Sequence, residues 1–173
     1  ALTQGPYYLR DVPQREALRE GLPGVPLRLL LGVRDRACRP LQGARVDLWH
    51  TDALRRYSGV NAPGTFCRGW QATDERGEVA FLTLFPGWYP SRTPHLHLRV
   101  EAGGRVFATQ LFFPEEVQRQ VYALPPYRER GMPRVNNRQD GLALAAPVHD
   151  QGCRQVYHSL HSTNTRTHLS EEI

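Results

Sequence analysis

Short apolar or alternating segments, separated by turn residues, occupy the middle of the chain. Residues that alternate with a period of two point to opposite faces of a strand, and on this basis we predict strands over Leu27–Val33, Arg45–His50, Val79–Leu84, Leu96–Ala102 and Val106–Phe113. The glycines at 103 and 104 are a hairpin signal between the last two segments. This succession of short strands favours an all-β sandwich or barrel.

The segments on either side of these strands differ in character. Residues 1–24 are polar and irregular. Pro114, followed by two glutamates, predicts one short helix after the core strands. We predict a further strand over Gly141–Val148 and a polar surface tail over residues 154–173. At 173 residues, the whole of 1–173 fits one domain.

Composition and charge narrow the classes of partner. A hydrophobic fraction of 40% and a charged fraction of 23% are ordinary for a soluble globular protein. No apolar segment approaches the roughly 20 residues that a membrane-spanning helix needs, so no membrane partner is expected. The formal charge of +5 comes from 22 basic residues, all of them Arg. They are spread along the chain rather than gathered in a basic block, so no nucleic-acid partner is expected.

The three cysteines, Cys38, Cys67 and Cys153, form no CxxC pair of the kind that binds zinc. Because their number is odd, at least one is free or pairs between chains. The sequence begins at Ala1 without a charged and apolar leader. Localisation therefore stays open between the cytoplasm and export after removal of a signal segment.

Candidate chemistry is concentrated around His95-Leu96-His97. On a strand, residues i and i+2 point to the same face, so both imidazoles can reach one metal ion while Leu96 packs on the other face. Arg92 lies three residues before this pair, and Tyr89 six residues before it, after a Pro-Gly turn. Tyr57 stands in a loop after the second predicted strand.

Other interpretations of these residues remain open at this point. The two histidines fit polar surface or core positions equally, and Tyr57 fits an aromatic residue that packs on Trp49. A His pair with one carboxylate would instead suit an Fe(II) or Mn(II) oxygenase. Three acidic residues outside the histidine block are candidates for that carboxylate: Asp52, Asp74 and Glu75.

Taken in order along the chain, several blocks resemble the intradiol ring-cleavage dioxygenases, the family of protocatechuate 3,4-dioxygenase and catechol 1,2-dioxygenase. The blocks are Gly5–Tyr8, Gly43–His50, Tyr57–Gly59, Arg68–Gln71 with Thr73-Asp74, Pro86–His97 and Thr109-Gln110. Each block alone is a weak signal, but the ordered series is specific. The resemblance implies a β-sandwich core with long irregular loops, in agreement with the strand pattern.

The resemblance also implies a ligand set for ferric iron. The family holds its metal with two Tyr and two His, which match Tyr57, Tyr89, His95 and His97 here. Fe(III) is a hard ion that anionic oxygen ligands stabilise over Fe(II). A phenol near so high a charge becomes a phenolate far below its ordinary pKa.

The implied activity is ring opening of a catechol-type diol by O2, to give a cis,cis-muconate-type diacid. Tyr89 would accept a substrate proton as it leaves the metal, and Arg92 would stabilise negative charge that develops on the ring. Gln110 would orient and polarise the substrate. Gly5 and Pro6 match the family's N-terminal pocket segment. The expected partners are the small diol and O2, and a homo-oligomer is left open.

The chain departs from the family pattern at a few positions. Arg55 and Ser91 stand where the family usually has Gly, and Arg55 suggests a reshaped loop before Tyr57. Residues 1–173 show no match to the helical dimerisation segment of catechol 1,2-dioxygenases, so we expect the chain to resemble the shorter or secreted members. Cys67 next to a matching block is expected either to pair with Cys38 or to leave both thiols free and buried. A non-catalytic β-sandwich binding module is the remaining alternative.

Overall fold

The computed structural model describes residues 3–146, 155–162 and 165–172. The strands are β1 (Pro26–Gly32), β2 (Arg45–Trp49), β3 (Arg68–Ala72), β4 (Glu78–Leu84), β5 (His95–Ala102), β6 (Arg105–Phe112), β7 (Gln155–Ser162) and β8 (Thr165–Glu172). Two short helices, α1 (Glu115–Tyr122) and α2 (Gly141–Ala145), and a 3-10 turn (Tyr127–Arg130) follow the first six strands. Within the described residues, no helix is long and apolar enough to cross a membrane.

The strands form two four-stranded antiparallel sheets, with the orders β4-β1-β7-β8 and β3-β2-β5-β6. Their inner faces share one apolar core, to which Leu29 of β1 and Phe81 of β4 contribute from one sheet. Leu48 of β2 and Leu96 of β5 contribute from the other sheet. The all-β sandwich expected from the alternating pattern is therefore confirmed.

Strand β5 separates the core from the candidate chemistry. Leu96 is fully buried in the core, and the histidines on either side of it point to the opposite face. His97 pairs with Trp49 of β2 on one side and with Gln110 of β6 on the other. The outer face of this sheet therefore gathers side chains from three adjacent strands.

The structure differs from the predicted elements in three places. Arg68–Ala72 forms β3, although its pattern gave no strand signal. The strand expected over Gly141–Val148 is wrong for Gly141–Ala145, which is helical because Asp140 caps a run of good helix formers. The C-terminal segment expected to be a surface tail contains β7, which pairs with β1, and β8.

Candidate metal centre

The two predicted tyrosines and two predicted histidines come from three parts of the fold. His95 and His97 are the first and third residues of β5. Tyr89 lies in the loop between β4 and β5, and Tyr57 lies in the loop between β2 and β3. The structure brings these four side chains together, although Tyr57 precedes the others by more than thirty residues.

Their polar atoms form one continuous chain of contacts. The Tyr57 and Tyr89 phenols are hydrogen-bonded to each other. The Tyr89 oxygen is 3.0 Å from Nε2 of His95, and that nitrogen is 3.1 Å from Nε2 of His97. The rings of Tyr57 and His97 are 6.3 Å apart, which closes the group on its fourth side.

The tautomer of His95 follows from its other ring nitrogen. Nδ1 lies 2.7 Å from the carbonyl oxygen of Thr93, and only a protonated nitrogen can donate to a carbonyl. The lone pair is therefore on Nε2, which faces Tyr89 and His97. Metal-binding histidines are held in this manner, with the second nitrogen hydrogen bonded to a carbonyl or carboxylate.

The donor atoms fit a small metal ion. Two donors that each lie about 2.1 Å from one ion, at right angles to each other, are about 3.0 Å apart. The separations from His95 to Tyr89 and to His97 match that value. Burial lowers the pKa of His95 to about 4 and that of His97 to about 2, so both imidazoles are neutral and able to bind a metal near neutral pH.

The two phenols fit an ion of high charge. Burial raises the pKa of Tyr57 and Tyr89 above the ordinary value. Both therefore remain neutral unless a cation binds and displaces their protons. Tyr57 is 4% exposed and Tyr89 is half-buried, so Tyr89 is the phenol that a small molecule reaches more easily.

In the part of the chain that the structure describes, no carboxylate completes a site with the two histidines. Among residues 3–146, no three His, Cys, Asp or Glu side chains form a group that would hold a metal ion. Asp52 is used in its own loop, where it accepts hydrogen bonds from the backbone of Leu54 and Arg56. Asp74 and Glu75 are exposed. The geometry therefore does not favour the expected Fe(II) or Mn(II) alternative.

The loop before Tyr57 keeps the conformation that a glycine would favour. Arg55 has φ +64°, in the left-handed region. Asp52 closes this turn and forms an ion pair of 2.6 Å with Arg56. Arg55 therefore adopts the left-handed conformation that Gly adopts without strain, and whether the loop is reshaped relative to the family stays a prediction.

Arg92 and Gln110 lie together beside the four donors. The guanidinium of Arg92 donates to the Gln110 carbonyl oxygen at 2.8 Å, and its Nε donates to Asp140 at 2.6 Å. Burial alone would raise the pKa of Asp140, but hydrogen bonds from Arg92, Thr93 and Ala143 hold it below its ordinary value. Asp140 was not predicted as a site residue from the sequence, where its signal is that of an N-cap before Gly141.

The N-terminal segment covers part of this group. Gly5 has φ +74°, and a Cβ built on it would be 3.2 Å from Cε1 of His97. Pro6 is exposed, and the ring of Tyr7 packs 4.8 Å from that of Tyr57. The Gly5–Tyr8 block therefore lies at the site, with Gly5 rather than Pro6 nearest to a predicted ligand.

Trp49 and His50, adjacent at the end of β2, have different roles. Trp49 is buried and stacks on the His97 ring at 5.0 Å, with 8° between the planes. His50 is also buried, and its two ring nitrogens contact the Thr51 carbonyl and the Thr83 hydroxyl. His50 therefore has a hydrogen-bonding role, whereas Trp49 contacts a predicted ligand in addition to packing.

Arg68 is a second residue whose position the sequence did not reveal. It is 2% exposed, and its guanidinium donates to the backbone carbonyls of Tyr7 and Ser58 at 2.8 Å and 3.0 Å. It thereby joins the N-terminal segment to the loop that carries Tyr57. Its buried charge also lies close enough to Tyr57 to oppose the rise in the pKa of that phenol.

The cysteines do not pair as expected. Cys67 carries a free, buried thiol, and burial raises its pKa to about 12. Cys38 is disulfide-bonded, so neither the Cys38–Cys67 bond nor a pair of free thiols is correct. Cys153 lies outside the described residues.

Comparisons with known proteins show what the chain is similar to. A family model described as Dioxygenase matches residues 3–120, more than half of the chain. Chlorocatechol 1,2-dioxygenase of Rhodococcus opacus is 28% identical over 139 residues, which cover 64% of this chain and 54% of that protein. Chlorocatechol 1,2-dioxygenase of Pseudomonas sp. (strain P51) is 30% identical over 134 residues, 64% of this chain and 53% of that protein. The chain spans about half the length of the curated relatives it matches.

Solved structures give the same result over more of the chain. An intradiol ring-cleavage dioxygenase from Tetranychus urticae has a TM-score of 0.79 at 35% identity, covering 83% of this chain and 78% of its own. The dioxygenase domain of a dioxygenase carbohydrate-binding protein fusion from Streptomyces sp. SirexAA-E has a TM-score of 0.64 at 37% identity, covering 82% and 79%. Since a family model matches most of the chain and its relatives and structural neighbours share one chemistry, the chain belongs to the intradiol ring-cleavage dioxygenases.

Proposed function

We propose that this chain is a non-haem Fe(III)-dependent enzyme that inserts both atoms of O2 into a catechol-type aromatic diol and releases a cis,cis-muconate-type diacid. The observation that carries the proposal is the convergence of two phenol oxygens and two imidazole nitrogens, with 3.0 Å and 3.1 Å between neighbouring donors. The diol and O2 together contain every atom of the diacid, so no external reductant is needed.

Tyr57, Tyr89, His95 and His97 would hold the iron. Bound Fe(III) supplies a Lewis acid that can chelate both oxygens of the diol and lower their pKa. The two anionic phenolate oxygens offset much of the ion's charge inside a buried site. A non-catalytic module has no comparable reason to bury two phenols against two imidazoles.

Tyr89 is the ligand that we propose to accept a proton from the diol. It is more exposed than Tyr57 and stands at the junction between Tyr57 and His95, so its oxygen can exchange partners while the other ligands stay in place. A protonated Tyr89 would then be free to swing aside and leave room for the second diol oxygen.

Arg92 and Gln110 would act on the ring of the bound diol. The guanidinium charge of Arg92 stabilises negative charge that develops on a ring carbon, because the site is partly shielded from water. The hydrogen bond of 2.8 Å between the two side chains fixes the direction of both. The NH2 group of Gln110 donates to the Thr3 carbonyl at 3.4 Å and would offer its other N–H to the substrate.

The test begins with the visible spectrum of the purified protein loaded with Fe(III). Phenolate-to-iron charge transfer should give a strong visible band, and a colourless ferric protein would contradict the proposed ligands. Turnover is then measured with catechol, hydroxyquinol, protocatechuate and chlorinated catechols under ¹⁸O2. The product should carry two labelled oxygen atoms, one on each new carboxyl group.

Variants assign the roles. Tyr57→Phe and His97→Ala should bleach or shift the visible band, whereas Tyr122→Phe, a buried phenol that donates to the Pro86 carbonyl, should leave it unchanged. Arg92→Ala should keep the band but lower kcat by roughly 100-fold, the usual effect of removing one charge-stabilising group. An unaltered band in Tyr57→Phe, or full turnover in Arg92→Ala, would remove that residue from its role.

A further inference from the structure

The carboxylate of Asp140 is buried directly behind Arg92. Its side chain is 1% exposed, and one oxygen, Oδ2, accepts both Nε of Arg92 at 2.6 Å and the backbone N–H of Thr93 at 3.0 Å. The other oxygen, Oδ1, accepts the N–H groups of Leu142 and Ala143 at the start of α2. Asp140 lies beyond residues 3–120, the range shared with the family model.

Capping of α2 does not account for this burial. The helix has five residues, none of them buried, and it adds little to the core. The carboxylate that caps so exposed a helix could itself stay exposed to water without loss of stability. Burying a carboxylate costs several kcal/mol unless it is paired, and here the pairing is with Arg92.

The two groups that Oδ2 accepts both lead toward the site. Holding Nε of Arg92 leaves the far end of the guanidinium 2.8 Å from Gln110. The second hydrogen bond of Oδ2, from the N–H of Thr93, fixes the position of Thr93. The carbonyl of Thr93 in turn accepts a hydrogen bond from Nδ1 of His95. Asp140 therefore restrains the segment 92–95 at its start, while β5 restrains it at its end.

We propose that Asp140 is a positioning residue for ring cleavage, which holds the Arg92 guanidinium over the substrate side of the metal centre. The role rests on the proposed function, because Arg92 is assigned there. An arginine side chain can rotate about several bonds. A hydrogen-bond partner at Nε removes most of this rotational freedom before the substrate binds. Asp140 touches neither substrate nor metal and acts through Arg92.

The key variant is Asp140→Asn. Asn caps helices as well as Asp does, so α2 is retained. The Asn side-chain oxygen can accept the N–H groups of the helix start. Its NH2 group then faces the N–H donors of Arg92 and Thr93, and no hydrogen bond can form between two donors. Asp140→Ser, which also caps helices, provides a smaller uncharged replacement if Asn perturbs folding.

We expect Asp140→Asn to lower kcat by about 10- to 100-fold, the usual effect of removing a residue that orients a functional group, with the visible band retained. In the Arg92→Ala background the same substitution should have no further effect on kcat, because the residue through which it acts is gone. A crystal structure of Asp140→Asn should show Arg92 displaced from Gln110.

Several results would overturn the role of Asp140. These are full turnover in both Asp140 variants, a visible band lost together with turnover, or an undiminished effect in the Arg92→Ala background. If the wild-type protein cleaves no diol, the proposed function fails. The crystal structure of Asp140→Asn then still tests whether Asp140 positions Arg92. Arg92 unmoved in Asp140→Asn would then refute it, and a displaced Arg92 would support it.

Discussion

Gly5→Ala tests whether the N-terminal segment restrains a metal ligand. The added methyl group would be 3.2 Å from Cε1 and 3.7 Å from Nδ1 of His97. Carbon atoms in contact prefer about 3.5–4.0 Å, so the ring or the segment must shift by a few tenths of an ångström. The ring cannot shift freely, since it stacks on Trp49 and its Nε2 is 3.1 Å from His95.

The same substitution also strains the backbone, and a second glycine isolates that effect. Gly5 has φ +74° and Gly21 has φ +71°, but a Cβ on Gly21 meets nothing within 4 Å. An L-residue in this conformation costs about 1–2 kcal/mol. Gly21→Ala therefore carries the backbone strain alone, while Gly5→Ala carries strain and the contact with His97.

We expect both variants to lose stability in thermal unfolding, Gly5→Ala more than Gly21→Ala, and only Gly5→Ala to alter the centre. A misplacement of about 1 Å can cost 10²-fold, so a shift of a few tenths should lower kcat/KM by roughly 3- to 10-fold. The visible band of the ferric protein should shift in Gly5→Ala and not in Gly21→Ala. Identical spectra and kinetics in the two variants would mean that Gly5 does not restrain His97.

Three further predictions concern buried groups around the centre. Burial lowers the pKa of His50 to about 4, so the unfolded imidazole gains its proton before the folded one. Metal-free protein should therefore lose about 2 kcal/mol through His50 between pH 7.5 and pH 5, and urea unfolding should show this loss reduced in His50→Gln. Arg68→Met leaves the carbonyls of Tyr7 and Ser58 without their donor and should cost about 2–4 kcal/mol in the same assay, against less than about 0.5 kcal/mol for the exposed Arg28→Met. Equal costs would contradict the role of Arg68 in joining the N-terminal segment to the Tyr57 loop. The thiol of Cys67 should resist thiol reagents until the protein unfolds, because burial raises its pKa to about 12; rapid labelling of Cys67 in the native protein would show that it is accessible.

The local features of the centre were evident in the sequence. A period of two puts His95 and His97 on one face of a strand and Leu96 on the other, whatever the rest of the fold does. The helix after Pro114 also follows from local residues, since a proline and two glutamates mark its start. The ligand set came from the family resemblance rather than from spacing, because Tyr57 and Tyr89 stand in loops that have no period.

Contacts between distant parts of the chain depended on the tertiary structure. Gly5 meets His97, Arg68 meets Tyr7, and Asp140 meets Arg92 across 48 to 92 residues of sequence. No local pattern marks such pairs, because the free energy that selects them comes from burying polar groups against partners that only the fold brings near. The pairing of β7 with β1 was missed for the same reason.

The sequence by itself determined the strand pattern and the chemical types available to the site: two phenols, two imidazoles and one guanidinium. The tertiary structure alone decided which polar groups are buried together and which direction each one faces. Periodicity is a property of neighbouring residues, whereas convergence and burial are properties of loops that close over long stretches of chain.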